Sequence, residues 1–173
     1  MIVRPNTDEY AEFYAGYVAR VPDGDVLQFL REQPQRLRDL LRGVSEEQAA
    51  ARPAPKEWSI KEVISHLNDG ERVFSYRALR FSRGDETALP GFDQDLFVEN
   101  SNSAAVPLAD LLDEFAHLRA ANLLLYTQFQ PETLARRGTA SNYPVSVRGL
   151  VYITAGHVEH HYESLRTVYL KQA

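Results

Sequence analysis

The segment from Leu150 to Val168 constrains the fold most, because its apolar residues recur at steps of three or four. The resulting stripe reads Leu150, Ile153, His157, His161, Leu165 and Val168. This period predicts an amphipathic α-helix that packs against other helices. Two histidines occupy positions that the period assigns to the core. We therefore predict that the imidazoles of His157 and His161 face inward.

The spacing of His157 and His161 suits the binding of one metal ion. Residues i and i+4 of an α-helix are neighbours, with Cβ atoms roughly 5–6 Å apart, and imidazole nitrogens bind zinc at about 2.0–2.1 Å. Charged imidazoles side by side in a core would be costly, so both must be neutral, hydrogen-bonded or metal-bound. The residues alone leave two interpretations open: the histidines are a hydrogen-bonded pair in the core, or they are two metal ligands that need a third. His160 lies on a neighbouring face and is predicted to support the pair or to face solvent.

A second helix carries a third histidine. Ser59 and Glu62 form a capping-box pattern, which predicts a helix start, and the helical period continues over about residues 60–83. His66 lies at the edge of its apolar stripe, where a single histidine is more often structural than a ligand. His117 has acidic and small neighbours at helical spacing and is predicted to face solvent.

Two more main helices and a short N-terminal helix complete an all-α prediction. The first main helix spans about residues 25–42, where Pro34 should introduce a kink, and the third begins near Pro107, a favoured first residue. The N-terminal segment has an aromatic face formed by Tyr10, Phe13, Tyr14, Tyr17 and Val18. A helix this short is marginal alone, so it should dock on the other helices, with an intersubunit contact as the alternative.

The third main helix has one polar residue in its apolar stripe. Its predicted buried residues are Leu108, Leu111, Leu112, Phe115, Leu118, Leu125 and Phe129. Asn122 falls among them. A polar residue there is either a hydrogen-bonded core amide or a group that faces a metal cavity.

Composition restricts the chemistry and the partners. A chain of 173 residues is expected to form one domain over residues 1–173. It has no cysteine, so disulfides and protein thiolate ligands are excluded. The net charge of −5 with interspersed signs disfavours nucleic acid as a partner. No apolar run approaches a membrane span or a signal peptide, so we expect a cytoplasmic protein without a membrane partner.

Two stretches resemble the DinB/YfiT-like superfamily. Residues 58–67, Trp-Ser-Ile-Lys-Glu-Val-Ile-Ser-His-Leu, are similar to its motif around a histidine on the second bundle helix, and residues 145–161 are similar to its ending G-H-x-x-x-H. The resemblance implies a four-helix bundle, often dimeric, with a metal ion held by His66, His157 and His161. Some members of the family transfer low-molecular-weight thiols such as bacillithiol or mycothiol, whereas others are described as hydrolases or isomerases.

Two connections are candidates for the walls of a substrate pocket. Residues 85–106 contain too many large apolar residues for a floppy linker, and long ordered loops are often functional. The other connection lies around residues 136–139. Asp93, Arg136 and Arg137 are candidates for substrate anchoring or for support of the site, the alternative being a solvated acid and ordinary loop arginines.

Three neutral imidazoles would leave a coordination position for water or substrate, and zinc so bound lowers the pKa of water to about 7. No glutamate follows His157 as in H-E-x-x-H metalloproteases, Glu159 is predicted to point away, and capping explains Glu62. The missing base favours thiol activation over hydrolysis. With the reaction taken from the family resemblance and the metal from the histidines, we predict a metal-dependent enzyme of the thiol S-transferase type with one zinc or nickel ion, a small-molecule substrate, for which a low-molecular-weight thiol is a candidate, and a possible homodimer. The alternatives are a metal-dependent hydrolase of a small amide or ester, and a non-catalytic metal-binding bundle.

Overall fold

Eight α-helices and one β-hairpin make up the described chain. The computed structural model describes residues 1–171. The helices are α1 (Ala15–Arg20), α2 (Val26–Leu40), α3 (Glu46–Ala50), α4 (Ile60–Ser82), α5 (Gln94–Glu99), α6 (Leu108–Tyr126), α7 (Pro131–Leu134) and α8 (Val147–Ser164). The strands are β1 (Arg137–Ala140) and β2 (Tyr143–Ser146). Short 3-10 helices lie at Thr7–Glu9, Glu12–Tyr14 and Ser103–Ala105, and a π-helical turn, Leu165–Tyr169, extends α8.

The four long helices α2, α4, α6 and α8 form the predicted four-helix bundle. Helix α4 packs against α6 and α8, and α2 packs against the same two helices. Helix α4 begins at the predicted capping box, in which the Ser59 hydroxyl accepts from the Glu62 backbone and the Glu62 carboxylate accepts from the Ser59 backbone. Within residues 1–171, no helix is both long and apolar enough to cross a lipid bilayer.

The apolar core consists of two clusters, one toward each end of the bundle. One includes Phe74 and Ile153, and the other includes Leu67 and Val158. Between these clusters, α4 carries the buried polar residues Asn68 and Glu71, and α8 carries the buried His157. The bundle therefore carries a polar layer between two apolar layers, and the candidate site extends from His157 in that layer to His66 and His161 beside the second cluster.

The all-α prediction missed the β-hairpin. Strands β1 and β2 pair antiparallel, with Arg137 opposite Ser146. The turn places Ser141 and Asn142 at φ angles of 53° and 69°, a left-handed conformation that matches the twist of a two-residue hairpin turn. Asn tolerates this conformation but Ser seldom adopts it, so the sequence carries a weak turn signal.

The prediction for α6 was wrong at two leucines and at the helix end. Leu118 and Leu125 are only half-buried, whereas Arg119 and Tyr126 are almost fully buried. The helix ends at Tyr126. Phe129 therefore lies beyond the end of α6, although its side chain is buried. The apolar period failed here because α6 buries charged and polar groups that are paired across the bundle.

The N-terminal aromatic segment docks on the bundle within the chain, as predicted. Helix α1 packs mainly against α8. The closest approach is at Gly156, where an added Cβ would lie only 1.9 Å from the Tyr17 carbonyl oxygen. The ring of Tyr17 in turn lies 5.5 Å from that of His157. This docking therefore brings the N-terminal segment to the candidate site.

An ion pair between Glu9 and Arg148 fastens the N-terminal segment to α8 and predicts a pH dependence of stability. Glu9 is 1% exposed and accepts from Arg148 Nε at 2.7 Å. Burial alone would raise its pKa, but hydrogen bonds from Arg148 and the Asn6 backbone lower the pKa to about 2. The folded pKa thus lies below the unfolded value near 4.3.

A lowered carboxylate pKa contributes stability above the unfolded pKa, and that stability is lost as the pH falls toward the folded value. We expect the free energy of unfolding to fall by about 2 kcal/mol between pH 5 and 2 through this group. Glu9→Gln should remove that part of the pH dependence in urea titrations. Glu12→Gln, at an exposed position nearby, should retain it, and an equal pH profile for the two variants would contradict the assignment.

Candidate metal centre

Three histidines converge between α4 and α8. His66 comes from α4, and His157 and His161 come from successive turns of α8. The Nε2 atoms of His66 and His157 are 2.9 Å apart. One nitrogen from each of the three rings lies within 4.8 Å of the other two. Within the described residues, this is the group of histidine and carboxylate side chains that could share one metal ion.

The donor set and its spacing fit one divalent ion. Two nitrogens bound tetrahedrally at about 2.0–2.1 Å would be about 3.3 Å apart, close to the observed 2.9 Å between His66 and His157. His66 and His157 are buried, and His161 is half-buried. Small movements of the rings would therefore place three nitrogens around one ion, and they would leave a further position for a small molecule.

All three rings are held neutral, which leaves nitrogen lone pairs available for a metal. Burial lowers the pKa of His66 to about 4, and the nearby His160 lowers it further in the same direction. Burial, together with His66 and His160, lowers the pKa of His161 to about 3. The pKa of His157 is also well below its ordinary value, chiefly because of burial. The predicted inward orientation is confirmed, and deprotonated imidazole is the form that binds metals.

Aromatic rings and a glycine fix the positions of the imidazoles. The Trp58 ring lies 4.8 Å from that of His66 and is stacked 6.5 Å from that of His161. A Cβ at Gly70 would lie 2.9 Å from Cε1 of His157, so this position of α4 needs glycine for the His157 ring to fit. His160 contacts Tyr17 and His161, beside the cluster.

A cavity of about 290 Å³ opens beside His66 and His157. Five aromatic residues line it: Phe13, Tyr14, Tyr17, Phe74 and Phe92. Gln94 and Ser141 add polar groups to its wall. The 85–106 connection contributes Phe92 and Gln94 to the wall, in line with the prediction for that loop, whereas the hairpin contributes Ser141 and none of the predicted residues 136–139. The N-terminal aromatic residues were predicted only to dock on the bundle, and their concentration on one face was the signal for this second role.

Two carboxylates near the histidines in sequence, Glu159 and Glu62, already have cationic partners. Glu159 accepts two hydrogen bonds of 2.8 Å from Arg36, which agrees with its predicted orientation away from the site. Glu62 caps α4 and pairs with Arg52. In the described part of the chain, the wall of the cavity contains no carboxylate. A protein general base is therefore not evident at this centre.

The other predicted site residues lie in structural contacts. Asp93 caps α5 by accepting from the backbone of residues 95 and 96. The exposed Arg136 donates to the Ser82 carbonyl, and the exposed Arg137 donates to Asp8. The structure does not bring these three side chains into the cavity wall. Their role in substrate binding stays a prediction.

Asn122 is a buried amide that donates to Glu71 Oε2 at 2.9 Å. This contact agrees with the alternative of a hydrogen-bonded core residue. Sequence patterns missed the larger network to which it belongs. Arg119, 1% exposed, donates to Glu71 and to Gln33, and the polar position of Asn122 in an apolar stripe was its one visible sign.

Comparison with known proteins agrees with this architecture. YfiT from Bacillus subtilis, described as a probable metal-dependent hydrolase with an unusual four-helix bundle topology, has a TM-score of 0.78 at 14% identity, over 99% of this chain and 95% of its own. A mycothiol-dependent maleylpyruvate isomerase has a TM-score of 0.68 at 14% identity, over 87% of this chain and 63% of its own. These similarities concern the fold. A search of curated proteins finds no match. The model of the DinB superfamily matches residues 29–165, most of the chain, and the chain therefore belongs to the DinB superfamily.

Proposed function

We propose that this protein is a metal-dependent enzyme that acts on a small molecule, with His66, His157 and His161 as the metal ligands. The observation that carries the proposal is the convergence of three neutral imidazoles, two of which, His66 and His157, line an aromatic cavity. An ion at this position would be reached from the cavity. A purely structural ion would be expected to have four protein ligands, whereas the cluster in the described chain has three.

Zinc and nickel are the proposed ions, because imidazole ligands suit both. When bound, such an ion supplies Lewis acidity, which lowers the pKa of a coordinated thiol or water. The three histidines would hold the ion. The rings of Trp58, Tyr17 and Phe74 would exclude water from around the three histidines and thereby strengthen electrostatic interactions in the site.

We favour thiol S-transfer as the reaction. The substrate thiol would lose its proton to water, its sulfur would form a bond to an electrophilic carbon of the second substrate, and the leaving group would depart with the electron pair of the broken bond. This reaction needs no protein general base, in agreement with the paired states of Glu159 and Glu62. The mycothiol-dependent neighbour supports a low-molecular-weight thiol as partner, and a thiol is kept reduced in the cytoplasm, where we place the reaction.

Hydrolysis of a small amide or ester is the second candidate, supported by the description of the YfiT neighbour. It would require a group that accepts a proton from water. Neither Gln94 nor Ser141, the polar groups of the cavity wall apart from the histidines and tyrosines, is a base at neutral pH. This difference ranks hydrolysis below thiol transfer. A homodimer stays a prediction.

Metal content tests the proposed centre directly. Mass spectrometry of tag-free protein should find about one zinc or nickel ion per chain, and His66→Ala, His157→Ala and His161→Ala should each lose it. His117→Ala is the matched control, because His117 is exposed and lies outside the cluster. Its metal content should equal that of the wild type. Folded variants that all retain the metal, or a wild type that takes up neither ion, would refute the proposal.

Trp58 provides an independent readout of the same centre. It is the one tryptophan of the chain, and its ring lies 4.8 Å from that of His66. Adding nickel to the metal-free protein should change its fluorescence with a one-to-one endpoint, and the signal should disappear in His157→Ala. Activity assays of the nickel-loaded wild type would then distinguish the two reactions. Transfer of a thiol to an electrophile without hydrolysis of esters would support thiol S-transfer.

A further inference from the structure

A buried cation without a counterion lies near the proposed centre. Arg77 and Arg119 are the two arginines that are buried in the described chain, at 3% and 1% exposure. Arg119 is paired with the Glu71 carboxylate. Among the ion pairs of residues 1–171, none joins Arg77 to a carboxylate. Buried charges are normally paired, so this guanidinium needs an explanation.

The partners of Arg77 are neutral. Its Nη2 atom donates to the Pro90 carbonyl and to the Ser141 hydroxyl, each at 3.0 Å. It also interacts with the Tyr14 hydroxyl, both through a side-chain hydrogen bond and electrostatically. These contacts hold the guanidinium in place but leave its charge unmatched. A guanidinium has five N–H donors, and the two bonds from Nη2 use only part of that capacity.

The position of Arg77 connects it to the metal centre. It lies about three helical turns after His66, so both residues occur on one face of α4, roughly 16 Å apart along the axis. Arg77 lines a cavity of about 480 Å³ formed with residues 87–92. Phe92 lines both this cavity and the one beside His157. Ser141 and Tyr14, which interact with Arg77, line the latter. The two cavities therefore share walls.

The chemistry of the Arg77 cavity indicates an apolar anion. Val73, Leu89, Pro90 and Phe92 are among the residues that line it. A second arginine, Arg80, lies in the same wall, but its charge is matched by Asp85. In the part of the chain that the structure describes, no acidic side chain lines this cavity. An anion with an apolar body would therefore gain both burial and a charge partner there.

We propose that Arg77 binds the carboxylate of a small substrate whose apolar or aromatic body lies between Phe92 and α4. This assignment rests on the proposed function, because it names the substrate class of the same centre. A carboxylate matches the planar fork of a guanidinium in two parallel hydrogen bonds. The anchored substrate would be oriented with its other end toward His157. Arg77 would thus select for carboxylates.

Binding of simple ligands to the wild type tests the proposal without any mutation. Isothermal titration should show that benzoate binds, whereas benzamide, with the same ring but no charge, binds at least about tenfold more weakly. Benzylamine should not bind. The affinity for benzoate should be similar in metal-free and nickel-loaded protein. Equal binding of benzoate and benzamide, or benzoate binding only when metal is present, would overturn the assignment.

Variants locate the anchor. Arg77→Gln should lose the preference for benzoate over benzamide, Arg77→Lys should retain part of it, and Arg80→Gln should retain all of it because that charge is already matched. Circular dichroism checks that each variant folds. Loss of the preference in Arg80→Gln but not in a folded Arg77→Gln would refute the proposal. If Arg77→Gln does not fold, the ligand series on the wild type decides.

The metal content of the same samples separates the two proposals. Arg77→Gln should keep one ion per chain, because Arg77 is not one of the three proposed metal ligands. If the wild type binds benzoate through Arg77 but binds no metal, the proposed anion site is supported and the proposed metalloenzyme is refuted. If the wild type binds metal but shows no preference for carboxylates, the proposed metal centre is supported and the role of Arg77 as carboxylate anchor is refuted.

Discussion

Glu71→Gln is expected to destabilise the protein by about 3–5 kcal/mol, because it leaves the charge of Arg119 buried without a counterion. The two side chains are each 1% exposed, and Arg119 Nη2 lies 2.5 Å from Glu71 Oε1. The substitution preserves the shape of the side chain, removes its charge and replaces one of its two acceptor oxygens by an NH2 donor. Urea denaturation followed by circular dichroism would measure the difference in the free energy of unfolding.

The large expected effect follows from the position of this pair at the centre of the bundle. Arg119, on α6, also donates to the Leu30 carbonyl and the Gln33 side chain of α2. Gln33 in turn donates to the Ala155 carbonyl of α8 at 2.8 Å. With Glu71 on α4, the network joins all four long helices. A loss of charge at Glu71 therefore disturbs every interface of the bundle.

An exposed ion pair and a double variant are the controls. Asp23→Asn removes a fully exposed carboxylate that pairs with Arg4, and we expect little change in stability because exposed pairs contribute little. Arg119→Met alone should also be strongly destabilising. Combining Glu71→Leu with Arg119→Met removes both charges and should cost less than the two single substitutions together. Additive effects in the double variant would show that the pair is not coupled.

This network shows where prediction from the sequence stops. The apolar period of α6 correctly indicates a helix with one buried face, but it places Leu118 and Leu125 in the core. The structure instead buries Arg119 and Tyr126. A charged residue becomes a core residue only when its partner on another helix is in place, and the pairing of Arg119 with Glu71 is not a feature of either local pattern.

The candidate metal site was more predictable from the sequence than the buried network of Arg119 and Glu71. His157 and His161 share a helix, so their spacing alone indicates that they are neighbours. The addition of His66 depended on the resemblance to a family, because the relation of α4 to α8 is a property of the whole fold. The cavity beside the histidines was only partly predictable: its loop wall was expected, whereas the hairpin residue Ser141 became apparent only in three dimensions. The same holds for Arg77 in the neighbouring cavity.

Gly156→Ala is expected to destabilise the protein by about 3 kcal/mol, toward the upper end for overpacking. An added Cβ would lie 1.9 Å from the carbonyl oxygen and 2.4 Å from the carbonyl carbon of Tyr17. These are backbone atoms, so no side-chain rotation can relieve the overlap. Helix α1 must move away from α8, although alanine itself favours a helix by about 1 kcal/mol relative to glycine.

Gly16→Ala provides the matched control for Gly156→Ala, since it makes the same substitution in α1, at a position where the added Cβ would meet no atom of α8 within 4 Å. Its added Cβ would meet only Arg20 Nη1 at an ordinary 3.6 Å, so the variant should be as stable as the wild type or slightly more stable. Moving α1 would also displace Tyr17, whose ring lies 5.5 Å from that of His157. We therefore expect Gly156→Ala, but not Gly16→Ala, to open the cavity and to increase proteolysis before Val26 under native conditions. Equal stability and equal protease resistance of the two variants would show that α1 does not form a fixed wall of the site.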